Sequence, residues 1–286
     1  MTPRRNWLER RVIAYAHQGG SFEGPSSTLF AIEEALAHGA TAIELDVHAT
    51  RDRHIVVCHD ETVDRTTNHA GAIADLTLAQ LREMDNAYWW IEGDAVTPGR
   101  APEEYPHRAK APGDRRFGVA TLEEVAVAFP AVLMNLDIKR GAPVVEPYEQ
   151  LLVDELVRLE LVDRVMVASF LDDAIASFRA LASDVATSAA TQETATFFFS
   201  LREGTAVVPP VQAFQVPASF GDITVVDELF VTAAHDAGVA VHVWTINDPA
   251  EMARLVDLGV DAVITDRPSV LSRLLEERGV AWDGTL

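Results

Sequence analysis

Short apolar runs alternate with helix-patterned stretches along almost the whole of this chain, and that order limits the fold more than any other feature. Candidate strands are Val12–His17, Ala42–Val47, Ile55–His59, Val132–Lys139, Val165–Ser169, Val185–Ala190, Ala213–Val216, Val239–Thr245 and Ala262–Asp266. Between them lie helix patterns at Thr28–His38, Leu122–Phe129, Val144–Leu159, Asp172–Ala182, Val225–Ala237, Pro249–Leu258 and Ser269–Glu277. The helix ends are punctuated. Gly39, Gly238, Gly259 and Gly279 follow the last periodic residues, Thr121 opens a capping-box pattern, and Asp248-Pro249 supplies an N-cap and a first helical proline. Strand and helix in alternation predict a parallel sheet. Roughly eight such units in a chain of this length favour an α/β chain closed into a (β/α)8 TIM barrel. An open doubly wound sheet is the alternative, and no G-x-G-x-x-G or Walker sequence supports it.

One segment breaks the rhythm. From about Asp60 to Gly118, after the second and third strands, the chain is rich in loop formers, among them Gly93, Pro98, Gly99, Pro102, Pro106, Pro112 and Gly113. Loops this long are usually functional. The expected organisation is a single barrel domain over 1–286, with an insertion at approximately 60–118.

Composition narrows the function classes. A formal net charge of -21 repels nucleic acid and anionic lipid, so a phosphate-bearing small molecule needs local cations from a metal or from placed Lys and Arg. The one cysteine, Cys58, excludes an intrachain disulfide and fits a reducing compartment. The N-terminal Arg pair has no long apolar run behind it, and Val12–Ala16 is too short for a signal-peptide core or a membrane span. The expectation is a cytoplasmic protein with no stable membrane insertion.

In such barrels the catalytic groups sit at the C-terminal ends of the strands. Those ends carry His17, then Glu44 and Asp46, His59, then Asp137 and Lys139, and later Ser169, Trp244 and Asp266. Glu44 and Asp46 are two residues apart and share a face, leaving Leu45 and Val47 to pack on helices. Asp137 and Lys139 share a face in the same way, with Leu136 and Ile138 turned away. Like charges facing one barrel mouth are costly to desolvate, and a divalent cation removes that cost. A salt-bridged structural cluster balanced by Lys139 is the other reading. His17 and His59, on strands flanking the carboxylate strand, suit acid–base work, although a lone strand-end histidine is more often structural. His48 shares the face of Glu44 and Asp46, with the strand expected to end before it, and Cys58 is expected to pack into the helix layer.

The stretch from AHQGG to HDETVDRTTN resembles the opening of the glycerophosphodiester phosphodiesterase family. His17-Gln18-Gly19 resembles its HRG element and Pro25 to Thr28 its P-E-N-T element. Glu44 and Asp46 resemble its E-x-D pair, His59-Asp60 its H-D dipeptide, and Arg65-Thr66-Thr67 its R-T-T turn. NLDIK, Ser169-Phe170, WTIND and ITDRP resemble its later strands, so the resemblance runs in order over residues 12 to 275. It implies His17 and His59 as an acid–base pair. It also implies Glu44, Asp46 and Asp137 as ligands of a divalent cation, Mg2+ or Ca2+, and Lys139 and Trp244 as substrate-binding residues. All-oxygen ligands fit a hard cation on independent grounds.

Three positions depart from the pattern: Gln18 replaces an Arg, Ser26-Ser27 replaces Glu-Asn, and Asp137 replaces the commoner Glu. Gln18 offers the phosphate hydrogen bonds without charge, and its strand end is expected to be open to the mouth. The implied reaction is hydrolysis of a glycerophosphodiester to sn-glycerol 3-phosphate and an alcohol, by attack of the glycerol 2-hydroxyl or of water. Three alternatives remain. One is a lysophospholipase D or sphingomyelinase-D-like activity, with Tyr88-Trp89-Trp90-Ile91 as an acyl groove or simply as core of the insertion. The others are a non-catalytic phosphoester-binding protein and a sugar isomerase on the same fold.

Overall fold

The computed structural model describes residues 7–8, 11–139 and 145–282. Val144, the expected start of one helix, lies outside the described residues, as does the opening segment 1–6.

Eight parallel strands form the barrel wall: β1 (Ile13–His17), β2 (Ala42–Ala49), β6 (Leu133–Ile138), β7 (Val165–Ala168), β8 (Ala186–Thr187), β9 (Ala213–Pro217), β12 (Ala240–Trp244) and β13 (Ala262–Thr265). The remaining strands lie outside it: β3 (Ile55–Val57) and the two hairpins β4–β5 (Trp90–Ile91 with Ala95–Val96) and β10–β11 (Ser219–Phe220 with Ile223–Thr224). Around the barrel the hydrogen-bonded order is β8-β7-β6-β2-β1-β13-β12-β9. A parallel bridge between Ser188 and Ala213 closes the ring.

The period of two along each strand sorts side chains between two environments. Leu45, Val47, Leu136 and Ile138 point outward, as expected, and are buried with Ile32 and Ala35 of the helix Leu29–Ala37 and with Leu152 and Leu156 of the helix Tyr148–Arg158. Each such fully buried aliphatic side chain stabilises the fold by roughly 1.5–3 kcal/mol. The inward residues at the base are apolar, many of them small: Ile13, Tyr15, Ala42, Leu133, Met166, Ala213, Ala240 and Ala262, closed beneath by Trp7 and Trp282. One step up the wall the inward residues turn polar, and at the top they carry the candidate site.

Several boundaries differ from the sequence reading. The expected strand Ile55–His59 is not a barrel stave: β3 pairs antiparallel with the upper end of β2, Val47 to Val57 and Ala49 to Ile55. That pairing also carries β2 past its expected end, through His48 to Ala49. The helix Thr191–Arg202 has no counterpart in the sequence reading, because its phenylalanines run consecutively and blur the helical period. Cys58 packs with Val56, Val63, Ile73, Leu81 and Val119 inside the 60–118 segment rather than in the helix layer, and burial pushes its thiol up to about 12.

The 60–118 segment has its own aromatic core. His107 stacks on Trp90 and Phe117 at 5.2 and 5.0 Å, and its ring tilts against Phe30 at 4.8 Å. Burial, aided by Lys110, lowers the His107 pKa from 6.5 to about 4. The unfolded chain therefore takes up this proton first, and stability is lost as pH falls from about 6.5 towards about 4. His107→Phe should remove roughly 1–2 kcal/mol of that pH dependence, the half-exposed ring being discounted for solvent. Urea unfolding of both proteins at the two ends of that pH range measures it.

Candidate active site

Strand register brings the acidic residues together. His17 on β1 lies beside Glu44 on β2, Glu44 beside Asn135 on β6, and Asp46 beside Asp137. Every one of these side chains points into the barrel, so Glu44, Asp46 and Asp137 converge at its mouth, with ligand oxygens all within 4.8 Å of one another. All three are buried. Burial and the Asp46 charge raise the Glu44 pKa to about 8. Burial raises Asp137 to about 6, against the pull of Lys139.

Lys139 partly answers this charge. Its Nζ is 2.9 Å from Asp137 Oδ2 and 3.3 Å from Asp46 Oδ1, and the two carboxylates keep it firmly protonated despite burial. The pairing anticipated in the structural reading is therefore present, but it is incomplete. Asp46 Oδ2 and Asp137 Oδ1 are buried with no hydrogen-bond partner, an arrangement costly unless something positive sits between them. Three hard oxygen donors with two orphaned atoms fit a divalent cation.

The two histidines reach the same pocket by different routes. His17 ends a barrel stave. Its Nδ1 donates to Asp266 Oδ1 at 2.6 Å, and Asp266 is held in turn by Ser21 Oγ at 2.6 Å and Asn247 Nδ2 at 2.7 Å. Burial opposes charge on His17, but the Asp266 hydrogen bond and the nearby Glu44, Asp266 and Asp46 carboxylates outweigh it and raise the pKa to about 9. His59 lies two residues beyond β3, where the 60–118 segment begins. Its Nδ1 is 2.6 Å from Asp60 Oδ1, and Arg65 Nε donates to Asp60 Oδ2 at 2.5 Å. Although burial opposes it, the His59 and Arg65 hydrogen bonds hold the Asp60 carboxyl far below the usual range. Tying Nδ1 to a carboxylate fixes each ring and leaves Nε2 for chemistry.

His48 is buried on β2 behind these groups, its Nε2 3.5 Å from the His59 carbonyl, and burial lowers its pKa. It does not line the pocket. The supporting roles of Asp266, Asp60 and Arg65 were not assigned from sequence, although each belongs to a motif noted there. A hydrogen-bond relay has no spacing signature.

Gln18 occupies a tight turn. Gln18, Gly19 and Gly20 all have left-handed backbones, φ 52°, 82° and 89°, and a Cβ on Gly20 would lie 2.8 Å from Pro268 Cγ. The turn buries Gln18, contrary to the expectation of an open strand end. Its backbone NH donates to Glu44 Oε2 at 3.1 Å, its Oε1 accepts from Ser26 Oγ at 2.6 Å, and its amide nitrogen lies 3.3 Å from His17 Nε2. The two departures Gln18 and Ser26 thus form one neutral pair. Trp244 lines the pocket wall and meets Phe170 edge-on at 5.5 Å. The Tyr88–Ile91 cluster does not line the pocket: Trp90 is buried and donates to the Ser21 carbonyl, and Trp89 donates to the Thr67 carbonyl, so this cluster is core of the 60–118 segment.

A parallel eight-stranded barrel with acidic, basic and imidazole groups at one mouth defines a hydrolase-type site on a TIM barrel. The model of the glycerophosphoryl diester phosphodiesterase family matches residues 17–270. The chain belongs to that family. It is 29% identical over 269 residues to a glycerophosphodiester phosphodiesterase of Caldanaerobacter subterraneus, covering 94% of this chain and all (100%) of the relative. It is 29% identical over 271 residues to one from Bacillus subtilis, covering 92% of this chain and 86% of the relative. The fold matches that of an Oleispira antarctica phosphodiesterase solved with the product sn-glycerol-3-phosphate, with a TM-score of 0.69, 22% identity, and coverage of 93% of this chain and 97% of the other.

Ser26→Ala should strand the buried Gln18 Oε1 without a donor and cost about 1–3 kcal/mol. In a Gln18→Met background the same change should cost less than half as much, because the acceptor is gone. Urea denaturation of the four proteins completes the cycle, and equal costs in both backgrounds would refute the pairing.

Proposed function

We propose that this chain works as a single barrel domain, with 60–118 as part of it, and hydrolyses glycerophosphodiesters to sn-glycerol 3-phosphate and an alcohol. The carrying observation is the pair of histidines, each tied through Nδ1 to an aspartate, beside a floor of three buried carboxylates and a lysine. The activity of the named relatives and the product held by the Oleispira enzyme support the same substrate class.

His17 and His59 are the catalytic pair: one takes the proton of the attacking hydroxyl, and the other gives a proton to the leaving alcohol oxygen. Glu44, Asp46 and Asp137 hold a divalent cation, Mg2+ or Ca2+, which when bound offsets the carboxylate charge and polarises a phosphoryl oxygen. Lys139 is the pocket's cationic side chain for the phosphate, shared with Asp46 and Asp137. Trp244 lines the binding side, and the Gln18 amide sits beside His17 Nε2, where substrate would arrive. The partner is a small-molecule phosphodiester. A net charge of -21 argues against nucleic acid, and the single cysteine suits the cytoplasm. Among the described residues no helix is long and apolar enough to cross a membrane.

EDTA should abolish turnover of glycerophosphocholine, with Mg2+ or Ca2+ restoring it, and Asp46→Asn should weaken metal binding at least about tenfold by calorimetry. Full activity in rigorously metal-free protein would rule out the cation.

His17→Ala and His59→Ala should each lower kcat by about 10²–10⁴-fold with the circular dichroism spectrum unchanged. His48→Ala should keep most of the activity, and a dead His48→Ala beside an active His59→Ala would reverse the assignment.

A further inference from the structure

Positive charge is scarce at the barrel mouth. Among the described residues Lys139 is the only Lys or Arg that lines the pocket, and its Nζ is shared between Asp137 and Asp46. With Glu44, Asp46 and Asp137 ionised around a divalent cation, that cation and Lys139 together match the three carboxylates and leave no surplus beyond the imidazoles of His17 and His59. Other guanidiniums of the neighbouring loops stand outside the lining: Arg65 is committed to Asp60, and Arg267 lies over the Phe22 ring.

The position beside the reacting end is filled by neutral groups. The Gln18 amide nitrogen is 3.3 Å from His17 Nε2, and Gln18 Oε1 accepts from Ser26 Oγ at 2.6 Å. Ser27 is buried with its Oγ 3.4 Å from that of Ser26, and Asn86 Nδ2 donates to the Ser26 carbonyl. Gln18 meets Glu44 through its backbone NH, so its side chain answers no carboxylate there.

A mouth without surplus charge treats a monoanion and a dianion differently. The desolvation cost of an ion rises with the square of its charge, whereas its attraction to fixed charges rises linearly. We propose that Gln18 is a specificity-determining residue: by keeping position 18 neutral, it makes the site favour a singly charged phosphodiester over a doubly charged phosphomonoester, and so lets the monoester product leave. This rests on the phosphodiesterase reading of the site. A phosphomonoester gains its second charge above a pKa of about 6, so substrate and product differ by one unit of charge on the same phosphate. Because Gln18 is buried, a charge placed there acts through protein rather than water and needs no contact with the ligand.

Calorimetry at about pH 8, well above that second phosphate pKa, measures binding of sn-glycerol 3-phosphate and of glycerophosphocholine to Mg2+-loaded protein, both in a His59→Ala background so that the diester is not consumed. Gln18→Arg should tighten the monoester about a hundredfold and the diester about tenfold, since the Coulomb energy doubles with the ligand charge. Gln18→Glu, nearly isosteric with the native residue, should weaken both, again about twice as far on a logarithmic scale for the monoester, and it carries the test if the larger side chain folds poorly. With His59 intact, product inhibition of glycerophosphocholine turnover should strengthen in Gln18→Arg by more than KM falls. Equal changes for the two ligands, or no change in either, overturn the inference alone and leave Gln18 as a packing or contact residue. Protein that binds neither ligand with Mg2+ or with Ca2+ overturns both the inference and the phosphodiesterase reading beneath it.

Discussion

Three carboxylates facing one another across adjacent parallel strands are the constraint around which the upper face is arranged. The register that sets Asp46 beside Asp137, with Glu44 on the same inward face, is fixed by outward residues such as Leu45 and Leu136 that must reach the helix layer. A slip of one residue would exchange the two sets, burying aliphatic side chains in the mouth and charges among the helices. Hydrophobic packing outside the barrel thus holds the charges together inside it. The raised pKa values of Glu44 and Asp137 register the electrostatic strain that results. Lys139 and His17 offset part of it, and two carboxylate oxygens remain unpartnered.

Much of this was legible in the sequence because the relevant signals are local. The alternation of strands and helices gives the barrel, and the i, i+2 spacing of Glu44 and Asp46 and of Asp137 and Lys139 gives their common face. Less local features were lost. His59 reads as the end of a stave, but only the antiparallel pairing of β3 reveals that it comes from outside the ring. Asp266 is separated from His17 by almost the whole chain and meets it only because β13 closes on β1. Gln18 reads as an exposed strand end because a run of left-handed residues, two of them glycine, does not announce which way the turn folds.

The aromatic residues show the same limit. Tyr88-Trp89-Trp90 is an unbroken aromatic run in the sequence, yet it is spent on the interior of the 60–118 segment. The pocket wall is assembled from elements far apart in the chain: Phe170 after β7, Phe198 and Phe199 on Thr191–Arg202, and Phe220 and Ile223 on a short hairpin. Composition within a window finds each aromatic run but not which of them the fold turns toward the pocket.

The origin of His59 has a further consequence. Of the two histidines proposed to move protons, His17 is rooted in the barrel wall, and His59 follows β3 where a segment of short helices, turns and a small aromatic core begins. Such segments open at a lower free energy than the scaffold that carries them. Fraying of the segment would withdraw one member of the pair and leave the staves standing. An activity that needs both histidines would then be lost ahead of global denaturation.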